Sequence, residues 1–64
     1  MIKFEYKLQN MYNGITAYIP EYDPVWFEVS KLLQEELELR EGQRVRVYKY
    51  QHGTGWLLHD SFIF

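Results

Sequence analysis

Few side chains in this 64-residue chain could take part in catalysis. It has no cysteine and only two histidines, and its two serines are Ser30 and Ser61. Neither serine stands in a G-x-S-x-G turn, the setting that exposes a serine nucleophile in many hydrolases. His59 and Asp60 are neighbours on a predicted strand, so their side chains should point to opposite faces and not orient one another. We therefore expect no catalytic residue and no enzyme activity.

Metal and cofactor chemistry has equally little support. The lack of cysteine excludes thiolate metal sites, and His52 and His59 are too few to close a metal site without carboxylates. Gly53-Thr54-Gly55 lies between two predicted strands, with no helix N-terminus behind it that could bind a phosphate. We expect no metal and no cofactor.

Charge is distributed unevenly along the chain, although the net charge is only −2. Residues 21–41 carry seven carboxylates and two cations, a net charge of −5, whereas the other residues carry five cations and two carboxylates, a net charge of +3. The middle of the chain is therefore acidic and its two ends are basic. This polarity predicts two surfaces that would attract different partners.

One predicted surface combines cations with aromatic rings on the solvent face of a sheet. Such a face suits single-stranded nucleic acid, because cations contact phosphates and rings stack on bases. The same composition is also ordinary for the solvated face of an antiparallel sheet, and we favour that interpretation. The residues concerned are Arg44, Arg46, Tyr48, Tyr50, Tyr18, Lys3 and Lys7.

The other predicted surface would bind a protein. Aromatic residues make up 19% of the chain, more than one small core can bury, so some are expected at an interface. Phe62 and Phe64 could form an apolar C-terminal contact, or could simply complete the core. Glu28, Glu35 and Glu38 belong to an acidic helix face that could engage a basic partner, although exposed helices often carry such residues.

From these surfaces, our first hypothesis is that the chain is a protein-interaction or regulatory module of the accessory or inhibitor type. We expect a homodimer or a component of a larger assembly. Nucleic-acid binding is the second hypothesis. No stretch approaches the roughly 20 apolar residues of a membrane span, and the N-terminus does not resemble a signal peptide, so we expect a cytoplasmic protein.

The N-terminal segment that would carry part of the basic surface reads as a β-hairpin. From Ile2 to Leu8 apolar and charged residues alternate strictly, which is the period of a half-buried strand. Asn13-Gly14 is a strong signal for a two-residue turn. That turn predicts three pairs, namely Tyr12 with Ile15, Asn10 with Ala17, and Leu8 with Ile19.

A single acidic helix is predicted from about Pro24 to Arg40. Asp23 suits the N-cap and Pro24 the first helical position, while Gly42 suits the left-handed residue after the helix. Steps of 100° per residue align one apolar stripe, which contains Trp26, Val29, Leu33 and Leu37.

A second hairpin is predicted after Gly42, around the loop 51–55. Pairing Tyr50 with Trp56 would place Tyr48 opposite Leu58 and Arg46 opposite Asp60. Residues 62–64 would extend the return strand or form an apolar tail.

The predicted fold is one α+β domain over residues 1–64, with ββαββ order and one amphipathic helix on one face of a four-stranded antiparallel sheet. The predicted core consists of Phe4, Tyr6, Leu8, Ile15, Ala17, Ile19, Trp26, Val29, Leu33, Leu37, Val45 and Val47.

Two family resemblances concern the junction between the helix and the second hairpin. The run from Leu37 to Val47, followed by Gly55-Trp56-Leu57-Leu58, is similar to the helix-to-hairpin half of swapped-hairpin regulators of the AbrB type, which implies an intertwined, DNA-binding dimer. The same residues resemble the middle of SH3-like barrels. Each resemblance covers about a third of the chain, and we assign neither family.

Overall fold

The computed structural model describes residues 3–64, which form a four-stranded antiparallel sheet with two short helices. The strands are β1 (Tyr6–Asn10), β2 (Thr16–Ile19), β3 (Arg44–Gln51) and β4 (Gly55–Ile63), and the helices are α1 (Pro24–Val29) and α2 (Lys31–Glu36). The strand order is β2-β1-β3-β4, so β2 and β4 form the two edges. The predicted α+β class and four-stranded antiparallel sheet are confirmed. The sheet is open and not the closed barrel that the SH3 resemblance implied.

The first hairpin forms, but its predicted register is wrong by two residues. Leu8 pairs with Ala17, not with Ile19. The turn is longer than Asn13-Gly14 alone, because the amide N–H of Asn10 donates to Ile15 O at 2.9 Å and Gly14 N–H donates to Asn10 O at 2.8 Å. A shift of two residues keeps each side chain on its predicted face, since the side-chain period of a strand is two.

Asn10 and Asn13 explain the longer turn. The carboxamide oxygen of Asn10 accepts from Tyr12 N–H at 2.9 Å, and that of Asn13 accepts from Ile15 N–H at 2.8 Å. The side-chain nitrogen Nδ2 of Asn10 donates to Leu37 O and to Gln43 Oε1. This fully buried side chain therefore connects the turn to the segment after α2. Side-chain bonds of this kind compete with the ladder of a tight hairpin.

The single predicted helix is interrupted at Ser30, where the backbone leaves helical geometry (φ −84°, ψ 80°). The predicted start is confirmed: Asp23 is the N-cap and its carboxylate accepts from Val25 N–H at 2.9 Å. Phe27 and Leu33 are six residues apart, so in one continuous helix their side chains would point about 120° apart. The interruption lets both face the sheet, where both are buried.

The helical end also differs from the prediction. α2 ends at Glu36, and Glu38, not Gly42, adopts the left-handed conformation that follows it (φ 50°). Glu38 N–H donates to Glu35 O and Leu39 N–H donates to Gln34 O, both at 3.0 Å, which is the Schellman pattern. Gly42 does have a positive φ, but in the turn that leads into β3.

The second hairpin keeps part of its predicted register. Tyr50 pairs with Trp56 and Tyr48 with Leu58, as predicted. A β-bulge then shifts the ladder, so Val47 pairs with Asp60 and His59 has no partner on β3. Arg46 therefore lies opposite Ser61, and the predicted pair with Asp60 is wrong.

The core lies between the two helices and one face of the sheet, which we call the core face. Seven of the predicted core residues are buried, namely Leu8, Ala17, Ile19, Leu33, Leu37, Val45 and Val47. Tyr6 and Ile15 are partly buried against them. Ile2, assigned to the same face, lies outside the described residues.

Three predicted core residues are exposed instead: Phe4, Trp26 and Val29. Phe4 precedes the first residue of β1, beyond the paired part of the sheet. Trp26 and Val29 lose their core positions because the interruption at Ser30 turns Phe27 toward the sheet. Phe27 packs edge-on against the ring of Phe62, with 5.3 Å between centroids.

Candidate functional site

The exposed side of the helices carries an apolar patch. Val25 and Val29 in α1 are each 72% exposed and Leu32 in α2 is 80% exposed, while Trp26 is less exposed, at 43%. In α1 only Phe27 is buried, so the two valines of this helix contribute little to the core. We call Val25, Trp26, Val29 and Leu32 the helical surface.

Exposed carboxylates lie in the same segment of the chain as the helical surface. All the acidic residues predicted for this segment are exposed, and they include Glu28 in α1, Glu35 in α2 and Glu38 just after α2. Lys31 is an exposed cation within the same layer. The acidic residues are therefore exposed, but they are divided between two helices and the segment after α2, and the same helices expose Trp26 and Val29, which the helical wheel had assigned to the core.

The solvent side of the sheet, which we call the outer face, brings together most of the predicted basic and aromatic residues. The register places Lys7 opposite both Tyr18 of β2 and Tyr48 of β3, so these three side chains share a face. Alternation along β3 adds Arg44, Arg46 and Tyr50 to the same face. Lys3 is exposed but precedes β1.

Trp56 is the centre of the outer face, although it was not among the predicted site residues. Its ring lies 5.3 Å from that of Tyr50 and 5.8 Å from that of Tyr18, which is on the opposite edge strand. The ammonium of Lys7 lies 5.0 Å from the Trp56 ring and 4.8 Å from the Tyr48 ring. The sequence already predicted that Trp56 pairs with Tyr50. Because paired residues lie on the same face of a sheet, this prediction would have placed Trp56 on the outer face.

The two arginines of the outer face differ in their contacts. Arg44 donates from Nη1 to Ser61 Oγ at 2.6 Å, which fixes its guanidinium over β4. Arg46 is exposed, and its neighbours across the sheet are the polar residues Gln9 of β1 and Ser61 of β4. Both cations thus stand beside the aromatic cluster without an acidic residue opposite them in the described register.

Phe62 and Phe64 belong to the core side of the molecule and not to a free tail. β4 extends to Ile63, and both rings pack against the buried Phe27. Phe62, Phe64 and Phe27 line a groove of about 430 Å³ between the helices and β4. Glu28, Lys31, Gln34 and Asp60 supply its polar lining.

A polar contact joins the loop before α1 to β4. The hydroxyl of Tyr22 donates to Asp60 Oδ2 at 3.1 Å, and the His59 ring packs edge-on against Tyr6 and Tyr22. Burial, and then the hydrogen bond to the Asp60 carboxylate, raise the pKa of Tyr22 above its usual value. A phenol that holds its proton this tightly is a poor acid at neutral pH, so the contact serves as a structural link.

Within residues 3–64, no three histidine, aspartate or glutamate side chains are grouped closely enough to hold a metal ion. In the same range, no helix combines the length and the apolar composition needed to cross a membrane.

Comparison with known proteins identified no matching family model, no matching curated protein and no matching solved structure.

Proposed function

We propose that this chain is a regulatory module of the accessory or inhibitor type, which acts in the cytoplasm by binding a protein and not by catalysis. The observation that supports this function is the helical surface, where Val25, Val29 and Leu32 expose 72–80% of their area. Contiguous exposed apolar residues rimmed by polar groups are typical of protein-binding sites. The absence of cysteine agrees with a reducing compartment.

The energetics of the helical surface favour a protein partner. Full burial of a valine or leucine side chain gains about 1.5–3 kcal/mol, and this gain works against the entropy cost of association. The surrounding Glu28 and Glu35 favour a partner whose contact area is apolar at the centre and basic at the rim. Such a rim would mainly speed association and exclude acidic proteins.

Site-specific photo-crosslinking in cells of the source organism tests the partner directly. A benzoylphenylalanine at position 29 should yield a covalent adduct with another protein, because the side chain at this position projects from α1. The matched control is the same group at Tyr12, which is 79% exposed in the first turn. Adducts of equal yield at both positions, or none at position 29, would refute the assignment.

Substitution of the helical surface gives a second test. The triple variant Val25→Ser, Val29→Ser and Leu32→Ser should lose at least ten-fold in affinity for the captured protein. Its thermal stability should change little, because these side chains contribute little to the core. Tyr12→Ser is the matched control and should bind normally.

Nucleic-acid binding is the second candidate, supported by the outer face. Lys7, Arg44 and Arg46 stand there among four aromatic rings, which is the composition of single-strand binding surfaces. We rank it second because the Trp56 ring is already flanked by Tyr18, Tyr50 and Lys7. A base would have to stack on the outer tyrosines alone.

A titration with labelled single-stranded and duplex oligonucleotides tests this second candidate. If the outer face binds nucleic acid, affinity should fall steeply with salt, and Arg44→Glu with Arg46→Glu should abolish binding. No binding at low salt would leave the outer face as solvated surface and would leave the protein-binding proposal intact.

A further inference from the structure

The free edge of β4 exposes apolar side chains on a long strand. β4 has nine residues, and Leu57, Leu58 and Ile63 are 41%, 58% and 54% exposed. Phe64 N–H donates to Gln43 O, so the alternation of an antiparallel ladder directs the N–H and C=O groups of Ile63 and the C=O group of Ser61 away from β3. The Ser61 N–H donates to Asp60 Oδ1 at 2.8 Å. Natural edge strands usually avoid this combination of unpaired backbone and apolar side chains.

The β-bulge gives β4 an internal symmetry. Before it, Leu57 lies on the core face and Trp56 and Leu58 on the outer face. After it, Asp60 and Phe62 lie on the core face, opposite Val47 and Val45. His59 also lies on the core face, because its ring contacts Tyr6 and Tyr22. Counting outward from the bond between His59 and Asp60, successive side chains therefore lie on the core face and the outer face in the same order in both directions.

We propose that β4 pairs with β4 of a second copy of this chain, antiparallel, about a twofold axis between His59 and Asp60. In this register every pair of opposed side chains lies on the same face of the joined sheet. If β4 had no bulge, two copies could pair in many registers with opposed side chains on the same face. Any register in which the twofold axis passes through a residue would do so. With the bulge, only the centre between His59 and Asp60 matches the faces along the whole strand.

This register complements the side chains of the two copies. The exposed Leu57 of one copy stands opposite Phe62 of the other, at the groove that Phe27, Phe62 and Phe64 line. On the outer face Ile63 stands opposite Trp56, and aromatic and β-branched residues favour such cross-strand contacts. Each copy therefore supplies an apolar residue to a groove that a single chain leaves open.

The polar residues at the centre of the interface are also complementary. His59 of each copy stands opposite Asp60 of the other, so two imidazole–carboxylate pairs flank the axis. The Asp60 carboxylate is already oriented by Tyr22 OH at 3.1 Å and by Ser61 N–H at 2.8 Å. A bulge discourages pairing with a straight foreign strand, but an identical bulge related by the twofold axis follows the same bend.

The mass in solution is the first test. Sedimentation equilibrium should give twice the chain mass of 7.9 kDa at micromolar concentrations. Leu57→Glu should raise the dissociation constant at least 100-fold, because it would place a carboxylate against Phe62 and the carboxylate of Asp60 in the other copy. A monomer at all concentrations of the unaltered chain would overturn the proposal.

Cysteine substitution tests the register itself, since the chain has no cysteine of its own. Positions 58 and 61 of different copies should stand opposite each other, about 5 Å apart at Cα, within disulfide range. The double variant Leu58→Cys with Ser61→Cys should therefore oxidise to a covalent dimer. Each single variant should not, because identical positions lie three residues apart across the axis. Equal oxidation of the single variants would overturn this register.

The dimer and the proposed function can fail separately. Val29→Glu should abolish capture through the helical surface and leave the dimer mass unchanged. Leu57→Glu should give a monomer, and its circular dichroism spectrum should match that of the unaltered chain, which would show that the variant folds. If Val29→Glu also produced monomers, the second copy would be bound by the helices and not by β4.

Discussion

Individual residues that depart from ordinary sequence rules mark where this fold is constrained. Glu38 adopts a left-handed backbone conformation that glycine and asparagine normally occupy, yet it is a glutamate (φ 50°). Asn10 is a polar side chain with no exposed surface in the centre of the molecule, where its amide links β1 to the segment after α2. Neither feature follows from hydrophobic periodicity, because each depends on contacts with residues more than 20 positions away or on a backbone angle.

Glu38→Gly should stabilise the protein. Relief of the left-handed conformation gains about 1–2 kcal/mol, and the greater entropy of glycine in the unfolded chain costs about 0.5–1 kcal/mol. We expect a net gain of about 0.5–1 kcal/mol in the free energy of unfolding, measured by urea denaturation. Glu35→Gly, inside α2, is the matched control and should lose about 1 kcal/mol. A loss in both variants would show that the Glu38 side chain makes a stabilising contact.

Tyr22 should make stability fall at alkaline pH. Its pKa is raised in the folded protein by burial and by the Asp60 carboxylate, so folding favours the protonated phenol. The resulting stability is fully present below the usual tyrosine pKa of about 10 and is lost as pH rises above it. Tyr22→Phe should be less stable than the unaltered protein at pH 8, and the difference should shrink by pH 11. A difference that stays constant across this range would contradict the role of the Tyr22 proton.

At the scale of elements, local patterns predicted the strands better than the helices. Alternation predicted β1 and β3, and the two turn signals predicted their return strands β2 and β4. The predicted faces of Leu8, Val45 and Val47 are confirmed, and the register error of two residues in the first hairpin leaves the face of Leu8 unchanged. The helical wheel instead assumed one uninterrupted helix and selected Trp26 and Val29 as core. The interruption at Ser30 has no strong local signal, since it depends on tertiary contacts made by Phe27 and Gln34. The bulge at His59 was missed for the same reason.

Gln34 is the residue that we expect to hold the interruption together. Its side-chain nitrogen donates to Phe27 O at 2.8 Å and to Glu28 O at 3.1 Å, two carbonyls at the end of α1, of which Phe27 O also accepts from Ser30 N–H at 3.2 Å. Gln34→Met keeps the volume but removes the side-chain donor to Glu28 O and leaves Phe27 O with the Ser30 N–H alone, which should cost about 1–3 kcal/mol of unfolding free energy. Gln51→Met, at an exposed position in β3, should change stability by less than about 0.5 kcal/mol. Equal effects in the two variants would show that Gln34 does not cap α1.

At the scale of the whole molecule, the chain has an acidic, partly apolar helical layer and a basic, aromatic sheet face on opposite sides. Charge counting along the sequence predicted this polarity, and alternation predicted which residues share the outer face. The sequence could not predict that Trp26 and Val29 of α1 lie outside the core, because that depends on the interruption at Ser30. The helical surface, on which the proposed function rests, was therefore visible only in the fold.

Parallel photo-crosslinking at positions 29 and 18, in cells of the source organism, tests the central claim most directly. Val29 lies on the helical surface and Tyr18 on the outer face, and both are exposed. We predict a discrete protein adduct from position 29 that the Val25→Ser, Leu32→Ser background abolishes, with no comparable adduct from position 18. Nucleic-acid adducts from position 18, together with no protein adduct from position 29, would contradict the proposed function and favour nucleic-acid binding through the outer face.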